Sequence, residues 1–283
     1  MPARDHNAIS NLRELQDPVA VLAFSGWNDA GSAATDAVLH LIEVSDADLL
    51  FSLDGEDHYD FQVNRPMVSR GEDGDRISWP RTDVWIGRIG ERDLVLITGP
   101  EPNMRWRSYA AQIVSALRSA HPSLVVVLGS LLADNAHTRP VPVSRSSADP
   151  RVRERLGLSR STYEGPTGIT GVLSAACTDA GMDVASLWAA VPHYVAQPPN
   201  PKATLALLHR LEDLAEVTID PGELPELGRA WERGVAELID DDAELSSYVA
   251  SLEADQDETE LPEASGDAIA AEFERYLRRR NDP

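Results

Sequence analysis

The stretch that decides the fold is Val19-Ala20-Val21-Leu22-Ala23-Phe24-Ser25-Gly26-Trp27-Asn28-Asp29-Ala30-Gly31, in which an apolar run passes directly into small and polar residues. A continuous apolar run of this kind is typical of a strand that is buried on both faces. Apolar residues at helical spacing follow, at Ala34, Val38, Leu41 and Ile42. The stretch therefore predicts a strand, a loop and a helix. In an open α/β sheet, the loop after such a strand is where ligands bind.

Three later parts of the chain repeat this order. Further buried strands are predicted at 94–98, 124–128 and 184–191, each followed by a polar loop. The last of them leads into a helical pattern from about Lys202 to Ala215. Repeated strand-loop-helix units favour a mostly parallel sheet that is covered by helices on both faces. We therefore predict an α/β fold in which the loops after the strands share one rim of the sheet.

These rim loops collect acidic, basic and amide side chains. An arginine there could bind an oxyanion through its forked donors, a carboxylate could accept hydrogen bonds from ribose hydroxyls, and a histidine could transfer a proton near neutral pH. The helix that begins near Ile169 adds backbone amides that could bind an anion. The rim is thus a candidate site for a phosphate or a nucleoside, although no residue is assigned as catalytic. The candidate ligand-binding residues are Asn28, Asp29, Glu101, Arg105, His137, Arg139, Glu164, Thr167 and His193.

Each candidate could instead have a purely structural role, and the sequence leaves both the ligand-binding and the structural interpretation open. Asn28 and Asp29 are residue types that commonly cap helix N-termini. Arg139 could pair with a carboxylate at a subunit interface, and the two histidines could serve as hydrogen-bonded structural residues. Because Lys202 is the only lysine, any Schiff-base or phosphate-binding lysine would have to be that residue.

The C-terminal part of the chain differs from the rest in charge. From Glu212 to Glu274, acidic residues far outnumber basic ones, so this stretch carries most of the formal net charge of −22. A solvated surface that keeps the protein soluble explains this charge, and a docking surface for a basic partner is the alternative. Because so acidic a surface repels phosphate backbones, we expect no nucleic-acid partner.

Apolar residues within this acidic stretch recur in alternating steps of three and four. That 3.5-residue period predicts one amphipathic helix of about 28 residues within 221–254, whose narrow seam either packs on the rest of the chain or pairs in an oligomer. The seam residues are Leu224, Leu227, Trp231, Val235, Leu238, Leu245, Val249 and Leu252. The sequence therefore predicts an α/β domain at 1–220, the long helix, a flexible acidic linker at 255–265 and a short last helix at 266–283.

Composition excludes several classes of protein. Cys177 is the only cysteine, so the chain can form neither an internal disulfide nor a cysteine metal cluster, and we predict no metal site and no cofactor. The N-terminal residues are charged and lack a long apolar run, and nowhere do about eighteen apolar residues run together. We therefore expect a cytoplasmic protein with neither a signal peptide nor a membrane span.

Five motifs stand out by their order along the chain. They are Gly26-Trp27-Asn28-Asp29-Ala30-Gly31, Gly99-Pro100-Glu101-Pro102 with Arg105-Trp106, His137-Thr138-Arg139-Pro140-Val141-Pro142-Val143, Tyr163-Glu164-Gly165-Pro166-Thr167-Gly168-Ile169, and Val191-Pro192-His193-Tyr194 with Pro201-Lys202-Ala203-Thr204-Leu205. In these motifs the chain resembles the proteasome assembly chaperone 2 family, in its bacterial branch. The resemblance implies a three-layer phosphorylase/hydrolase-like domain and a homo-oligomer, with a trimer preferred. For eukaryotic and archaeal relatives it implies a chaperone role in building proteasomes.

Two functions follow from these observations. The resemblance favours a protein that acts by protein–protein association, and the alternative is a phosphorylase-like or hydrolase-like enzyme, or a sensor, that binds a phosphate or nucleoside at the rim. The sequence has no G-x-S-x-G, G-x-x-x-x-G-K-[ST] or H-E-x-x-H motif, which favours the first. Proteasome-binding members of the family carry a hydrophobic-Tyr-any tail, whereas this sequence finishes with Asn281-Asp282-Pro283, so we do not expect docking through such a tail.

Overall fold

The computed structural model describes residues 11–71 and 74–260, and their side chains up to residue 254. No helix within these two ranges is long and apolar enough to cross a membrane. The strands are β1 (Val19–Ser25), β2 (Asp48–Leu53), β3 (Met67–Gly71), β4 (Gly74–Ser78), β5 (Thr82–Ile89), β6 (Arg92–Pro100), β7 (Leu124–Ala133), β8 (Val143–Ser146) and β9 (Val184–Pro192). The helices are α1 (Ala33–Val44), α2 (Trp106–Ala120), α3 (Pro150–Leu156), α4 (Ile169–Asp179), α5 (Pro201–Ala215), α6 (Leu224–Asp240) and α7 (Ala243–Glu260).

Seven of the strands form one sheet, in the order β2-β5-β6-β1-β7-β9-β8. The four neighbours β6, β1, β7 and β9 are parallel to one another, whereas β5 and β8 run the opposite way. Since β2 is antiparallel to β5, five of the seven strands point in the same direction. The predicted α/β fold with a mostly parallel sheet is confirmed. The strands β3 and β4 form a separate hairpin.

The central strand β1 is buried on both faces, as its apolar run predicts. Val21 and Ala23 belong to a core that α1 and α5 share, and Leu22 and Phe24 belong to a second core that α2 and α4 share. The helices therefore cover the sheet on both faces. Cys177 is buried in the second core, and this burial raises the pKa of its thiol to about 11.

The loop after β7 begins later than the sequence predicts. The strand continues to Ala133 because its last residues still pair with β9, where Ala133 lies opposite Pro192. The chain then enters the edge strand β8 before the short helix α3, so this junction does not follow the predicted order of strand, loop and helix. The polar loop that carries His137 and Arg139 therefore starts at Asp134 and connects two strands.

The prediction of one long helix within 221–254 is wrong. The structure has two helices, α6 and α7, separated by a turn at Asp241-Asp242. The Asp242 carboxylate oxygen Oδ1 accepts hydrogen bonds from the backbone amides of Glu244 (3.0 Å) and Leu245 (3.1 Å), which caps a new helix N-terminus. The 3.5-residue period continues through the break because residues of both helices pack into the same apolar cluster.

The predicted acidic linker also differs in part from the structure. The backbone of α7 is helical through Glu260, so residues 255–260 are not an extended linker. Gln256, Glu258 and Glu260 are residue types of high helix propensity, which favours continuation of the helix through this acidic stretch. The remaining linker residues and the predicted helix at 266–283 lie outside the described residues. The domain boundary at residue 220 stays a prediction.

Candidate functional site

The loop after β1 is fixed by its own side chains. The Asp29 carboxylate accepts hydrogen bonds from the backbone amides of Ala34 (2.8 Å) and Thr35 (3.3 Å) and from the Thr35 hydroxyl. These donors lie in the first turn of α1, whose free amides Asp29 thereby satisfies. Burial raises the pKa of the Asp29 carboxyl, and the hydrogen bonds oppose that rise. The geometry of Asp29 fits the capping interpretation.

Asn28 and Glu101 join the loop after β1 to the loop after β6 and to helix α4. Asn28 is only 1% exposed, and its Nδ2 donates to Glu101 Oε1 (2.6 Å) while its Oδ1 accepts from the Thr170 hydroxyl (3.1 Å). The same Glu101 oxygen accepts from the backbone amide of Ile169 (2.7 Å). An anion at a helix N-terminus is stabilised by the helix dipole. The backbone amide of Ile169 is therefore already hydrogen-bonded to an anion, and that anion is the chain's own Glu101 carboxylate.

The other predicted residues of these loops lie at the protein surface. Glu164 and Thr167 are exposed, and the Thr167 hydroxyl is 3.5 Å from the backbone oxygen of Gly168. Arg105 forms an ion pair with Asp57, and both side chains are largely exposed. Exposed ion pairs contribute little to stability. The structure thus brings Asn28, Asp29 and Glu101 together and leaves these three at the surface.

His137 lies in the loop after β7 and belongs to a second group. Its side chain is 3% exposed, its backbone amide donates to the Tyr194 hydroxyl (2.8 Å), and its Nδ1 lies 3.0 Å from the same oxygen. Its Nε2 is buried without a hydrogen-bond partner among the described residues. Burial lowers the pKa of His137; Glu232 and Glu253 oppose this effect, and Lys202 adds to it. His137 is therefore a buried histidine that favours its neutral form.

Lys202 connects the same loop to α5 and α6. Its Nζ donates to the backbone oxygen of His137 and to Glu232 Oε2, both at 2.5 Å. The only lysine of the chain is thus engaged by a carbonyl and a carboxylate of the protein itself.

Glu253 connects the loop after β7 to α7. Its carboxylate accepts a hydrogen bond from the Thr138 hydroxyl and lies 3.9 Å from the Arg139 guanidinium. The carboxylate beside Arg139 therefore comes from the same chain. Arg139 and Arg105 have different carboxylate partners, which lie 196 positions apart in the sequence at Glu253 and Asp57.

His193 follows β9 and lies in an aromatic group that the sequence did not predict. Its Nδ1 is 3.2 Å from an Asp134 carboxylate oxygen, and its ring contacts the rings of Tyr194 and Tyr248 edge to face. The Tyr248 hydroxyl donates to the same Asp134 oxygen (3.1 Å). His193 thus connects the end of β9 to α7. Tyr248 lies in the predicted helix, but nothing in its spacing indicated a histidine partner.

Apolar contacts complete the cover that α6 and α7 form over these loops. The seam packs on the rest of its own chain, and its buried members lie in one cluster with Ala136 of the loop after β7. Three seam residues do not join this cluster: Leu224 packs against the core that α1 and α5 share, and Leu227 and Leu238 are 49% and 71% exposed. The buried members of the cluster are Ala136, Val235, Ile239, Val249 and Leu252.

Apolar side chains are also exposed near the Glu101 hydrogen bonds. Trp27, Met104 and Tyr163 are all exposed, and Trp27 most of all at 68%. Trp27 precedes Asn28, Met104 is three residues after Glu101, and the Tyr163 hydroxyl donates to the backbone oxygen of Pro166 (2.7 Å), just before the N-terminus of α4. We call Trp27, Met104 and Tyr163 the rim patch.

Fold and site together define an α/β protein whose rim is held by its own side chains and partly covered by two C-terminal helices. The model of the PAC2 family matches residues 23–239, and the chain belongs to that family. A PAC2 family protein from Streptomyces avermitilis is 54% identical with a TM-score of 0.79, over 82% of this chain and 100% of that one. The family resemblance of the sequence is therefore confirmed.

Two further solved structures are similar to the chain. A proteasome-assembly chaperone homologue from Mycobacterium tuberculosis is 46% identical with a TM-score of 0.75, over 82% of this chain and 99% of that one. An archaeal proteasome activator from Pyrococcus furiosus is 16% identical with a TM-score of 0.65, over 80% of this chain and 94% of that one, and shows the fold alone. A comparison with curated protein sequences gave no significant match.

The buried His137 makes stability depend on pH. An unperturbed histidine has a pKa of about 6.5, and burial lowers that of His137 in the folded state. As the pH falls below about 6.5, His137 is protonated more readily in the unfolded chain than in the folded protein. We therefore expect it to lower the free energy of unfolding below about pH 6.5 and to have little effect at higher pH. The contribution of His137 to the slope of the free energy of unfolding against pH is at most about 1.4 kcal/mol per pH unit. Urea unfolding between about pH 7.5 and 5 measures it.

His137→Gln should flatten that slope, because glutamine takes up no proton in this pH range. The control is Leu39→Gln, which places the same side chain at an exposed position of α1 and should leave the slope as in the parent protein. A slope that is equal in the parent and in His137→Gln would show that protonation of His137 does not oppose folding.

Proposed function

We propose that the protein acts by protein–protein association, as a proteasome-assembly-chaperone-like protein. The observation that carries this proposal is the rim patch, because large apolar side chains exposed on segments that meet at Glu101 are typical of contact surfaces. The hydrogen bonds of Glu101 join its loop to the loop after β1 and to the N-terminus of α4, so the backbone segments beside the three patch residues are held together. The name of one relative supports the same function, since the Mycobacterium tuberculosis protein that is 46% identical is called a proteasome-assembly chaperone homologue.

The state of the polar rim residues also favours association over chemistry. Asp29, Glu101 and Lys202 already have internal partners with good geometry. His137 is covered by α6 and α7, and Arg139 lies beside Glu253. An enzyme needs such groups directed at a substrate. We therefore retain the phosphorylase/hydrolase-like description as a proposal about the fold and not about activity.

The proposal is tested with the purified chain and the purified proteasome α-subunits of its source organism. We expect the two to co-elute in size-exclusion chromatography. A combined Trp27→Ser and Met104→Ser variant should weaken the complex at least about thirtyfold, since a tryptophan at the centre of an interface commonly contributes 2 kcal/mol or more. The control is Leu39→Ser, an exposed leucine on α1 away from the rim loops. No complex with the parent, or equal complexes for all variants, would contradict the proposal.

We also propose that the protein forms a homo-oligomer, for which a trimer is the preferred state. We propose further that it is cytoplasmic and binds no nucleic acid. The family resemblance supports the oligomer, and the exposed Leu227 and Leu238 supply apolar surface for it. Light scattering at micromolar concentration should give a mass about three times the chain mass of 30.8 kDa. A mass near 31 kDa would contradict self-association.

A further inference from the structure

One side of α6 carries an exposed stripe of apolar and small residues. Leu227, Ala230, Gly234 and Leu238 recur in steps of three and four, and the same spacing continues to Asp241 just after the helix. All five are exposed. Outside α6, no atom of the described residues lies within 4 Å of the position that a Cβ of Gly234 would take. Since the distance between packed helices depends on the side chains at their contact, the stripe leaves room for a second helix to approach closely.

The charged residues of α6 are unevenly placed around this stripe. Glu237 and Asp241 lie on or beside its far end, where the negative end of the helix dipole also attracts cations. The arginines of α6, Arg229 and Arg233, lie more than about 100° around the helix from the stripe. The far end of the stripe is therefore an acidic position that favours a basic partner.

The chain leaves α7 close to the start of α6. Glu232 and Glu253 lie ten residues before and eleven residues after Asp242, and both are close enough to His137 to affect its pKa. The two helices therefore run antiparallel from the turn between them. Glu260 and Leu224 each lie eighteen residues from Asp242, so the last residue of α7 lies level with the start of α6.

The sequence at 266–283, which lies outside the described residues, repeats the spacing of the stripe. Three apolar residues and one arginine follow one another there in steps of four, four and three, and the same steps separate the last four members of the stripe. An isolated helix of this length is marginal in water, so its apolar side needs a partner. The four residues are Ile269, Phe273, Leu277 and Arg280.

We infer that residues 269–280 form a helix that docks on the stripe of α6 in the same chain and runs parallel to α6. The matching steps place Phe273 over Gly234, where the stripe is open, and Arg280 beside Asp241. The eight residues 261–268 are enough to reverse the direction of the chain, and Pro262 favours an end of α7 just before it. The opposite direction would place the arginines of the segment at the positive end of the α6 dipole.

The other charges of the segment are consistent with this register. The arginines at 278 and 279 are level with the last turn of α6, and Glu272 is level with Arg233. Asp267 is the one acidic residue near an acidic part of α6, at Glu226, and exposed charge pairs have small energies. Charge along the segment therefore favours the parallel direction.

This inference goes beyond the proposed function and is independent of the proteasome partner. A second copy is the competing occupant of the same stripe, since Leu227 and Leu238 are also surface for self-association. If the chain's own segment occupies the stripe, a homo-oligomer has to form through other surfaces.

Hydrogen exchange of the full chain tests the docking. The amides at 271–279 should be protected in the parent protein, equally at high and low protein concentration. Leu227→Gln with Leu238→Gln should accelerate their exchange at least about tenfold, because the stripe loses its two large apolar side chains. Leu39→Gln, which alters an exposed leucine on α1, is the control and should leave this exchange unchanged. Thermal melts check that each variant is folded.

Reversing the charges tests the direction of docking. Reversal of the three arginines at 278–280 to glutamate should remove the protection, and so should Glu237→Arg with Asp240→Arg and Asp241→Arg. The two sets combined should return the exchange at 271–279 to within about threefold of the parent, because the ion pairs then form with opposite signs. Charge effects within the segment alone predict no such rescue.

Each outcome decides the inference. Exchange at 271–279 as fast as in an unfolded chain overturns it, and so does protection that Leu227→Gln with Leu238→Gln leaves unchanged. Protection that falls on dilution, together with the mass from light scattering, assigns the stripe to a second copy and overturns docking within the chain. A combined charge variant without rescue overturns the parallel direction. None of these outcomes affects binding of proteasome α-subunits through Trp27 and Met104, which is measured separately.

Discussion

Gly168→Ala should destabilise the protein by about 3 to 5 kcal/mol, the combined cost of overpacking and of lost buried hydrogen bonds. Gly168 is buried at the N-terminus of α4, and its φ of −88° is open to any residue, so the cost is steric. A Cβ at this position would lie 2.5 Å from Asn28 Nδ2. Asn28 has no free space to move into, because Glu101 and Thr170 hold its amide and it is 1% exposed.

Gly165→Ala is the matched control, three residues earlier in the same loop. The nearest atoms to a Cβ there belong to the side chain of Tyr163, which is exposed and can rotate away. We expect a change within about 0.5 kcal/mol, as for most surface substitutions. Urea unfolding of both variants provides the comparison.

A double-mutant cycle identifies the cause of the effect. Asn28→Ala removes the group that the Cβ strikes, so the combined variant with Gly168→Ala should be more stable than the sum of the single effects, by at least about 1 kcal/mol. Additive effects, or a Gly168→Ala variant as stable as the parent, would show that the Asn28 amide is not fixed. Because the same hydrogen bonds position the rim patch, Gly168→Ala should also weaken any complex made through Trp27.

The α/β core was predictable because its signal is local. The runs at β1, β6, β7 and β9 are almost continuously apolar, which is typical of strands buried on both faces, and the structure places these four strands side by side. The break between α6 and α7 was missed because the apolar period continues through it. A local signal was present, since Asp242 precedes an apolar helical pattern as an N-cap does.

The candidate site was predictable as a set of loops but not as a set of contacts. Sequence placed Glu101 and Ile169 near one rim, and they do meet, although 68 positions separate them. The same reasoning grouped His137 with Asn28, whereas the structure puts His137 under two C-terminal helices. Thr138 meets Glu253 across 115 positions, and no periodicity encodes such a pairing. The residue types therefore indicated which interactions each side chain can make. Only the fold shows with which residue of the chain each side chain already forms a hydrogen bond or an ion pair.

The second large effect is expected at α7, where Val249→Asp should undock the helix from the loop after β7. Val249 is 5% exposed, in one apolar cluster with Ala136 and Leu252. Burying an unpaired carboxylate costs several kcal/mol, so undocking is the less costly response. Undocking also removes Glu253 from Thr138. Hydrogen exchange of the amides at 134–139 should accelerate at least about tenfold, which corresponds to about 1.4 kcal/mol.

Ala250→Asp is the control for this substitution, because it adds the same side chain one position along the same helix. Ala250 is exposed, so its carboxylate stays in water, and the change in stability should remain below about 1 kcal/mol. Exchange at 134–139 should then match the parent protein. Equal exchange in both variants would mean that α7 does not cover this loop. Acceleration in Val249→Asp alone would establish that α7 covers this loop and that the buried His137 becomes accessible when the helix lifts away.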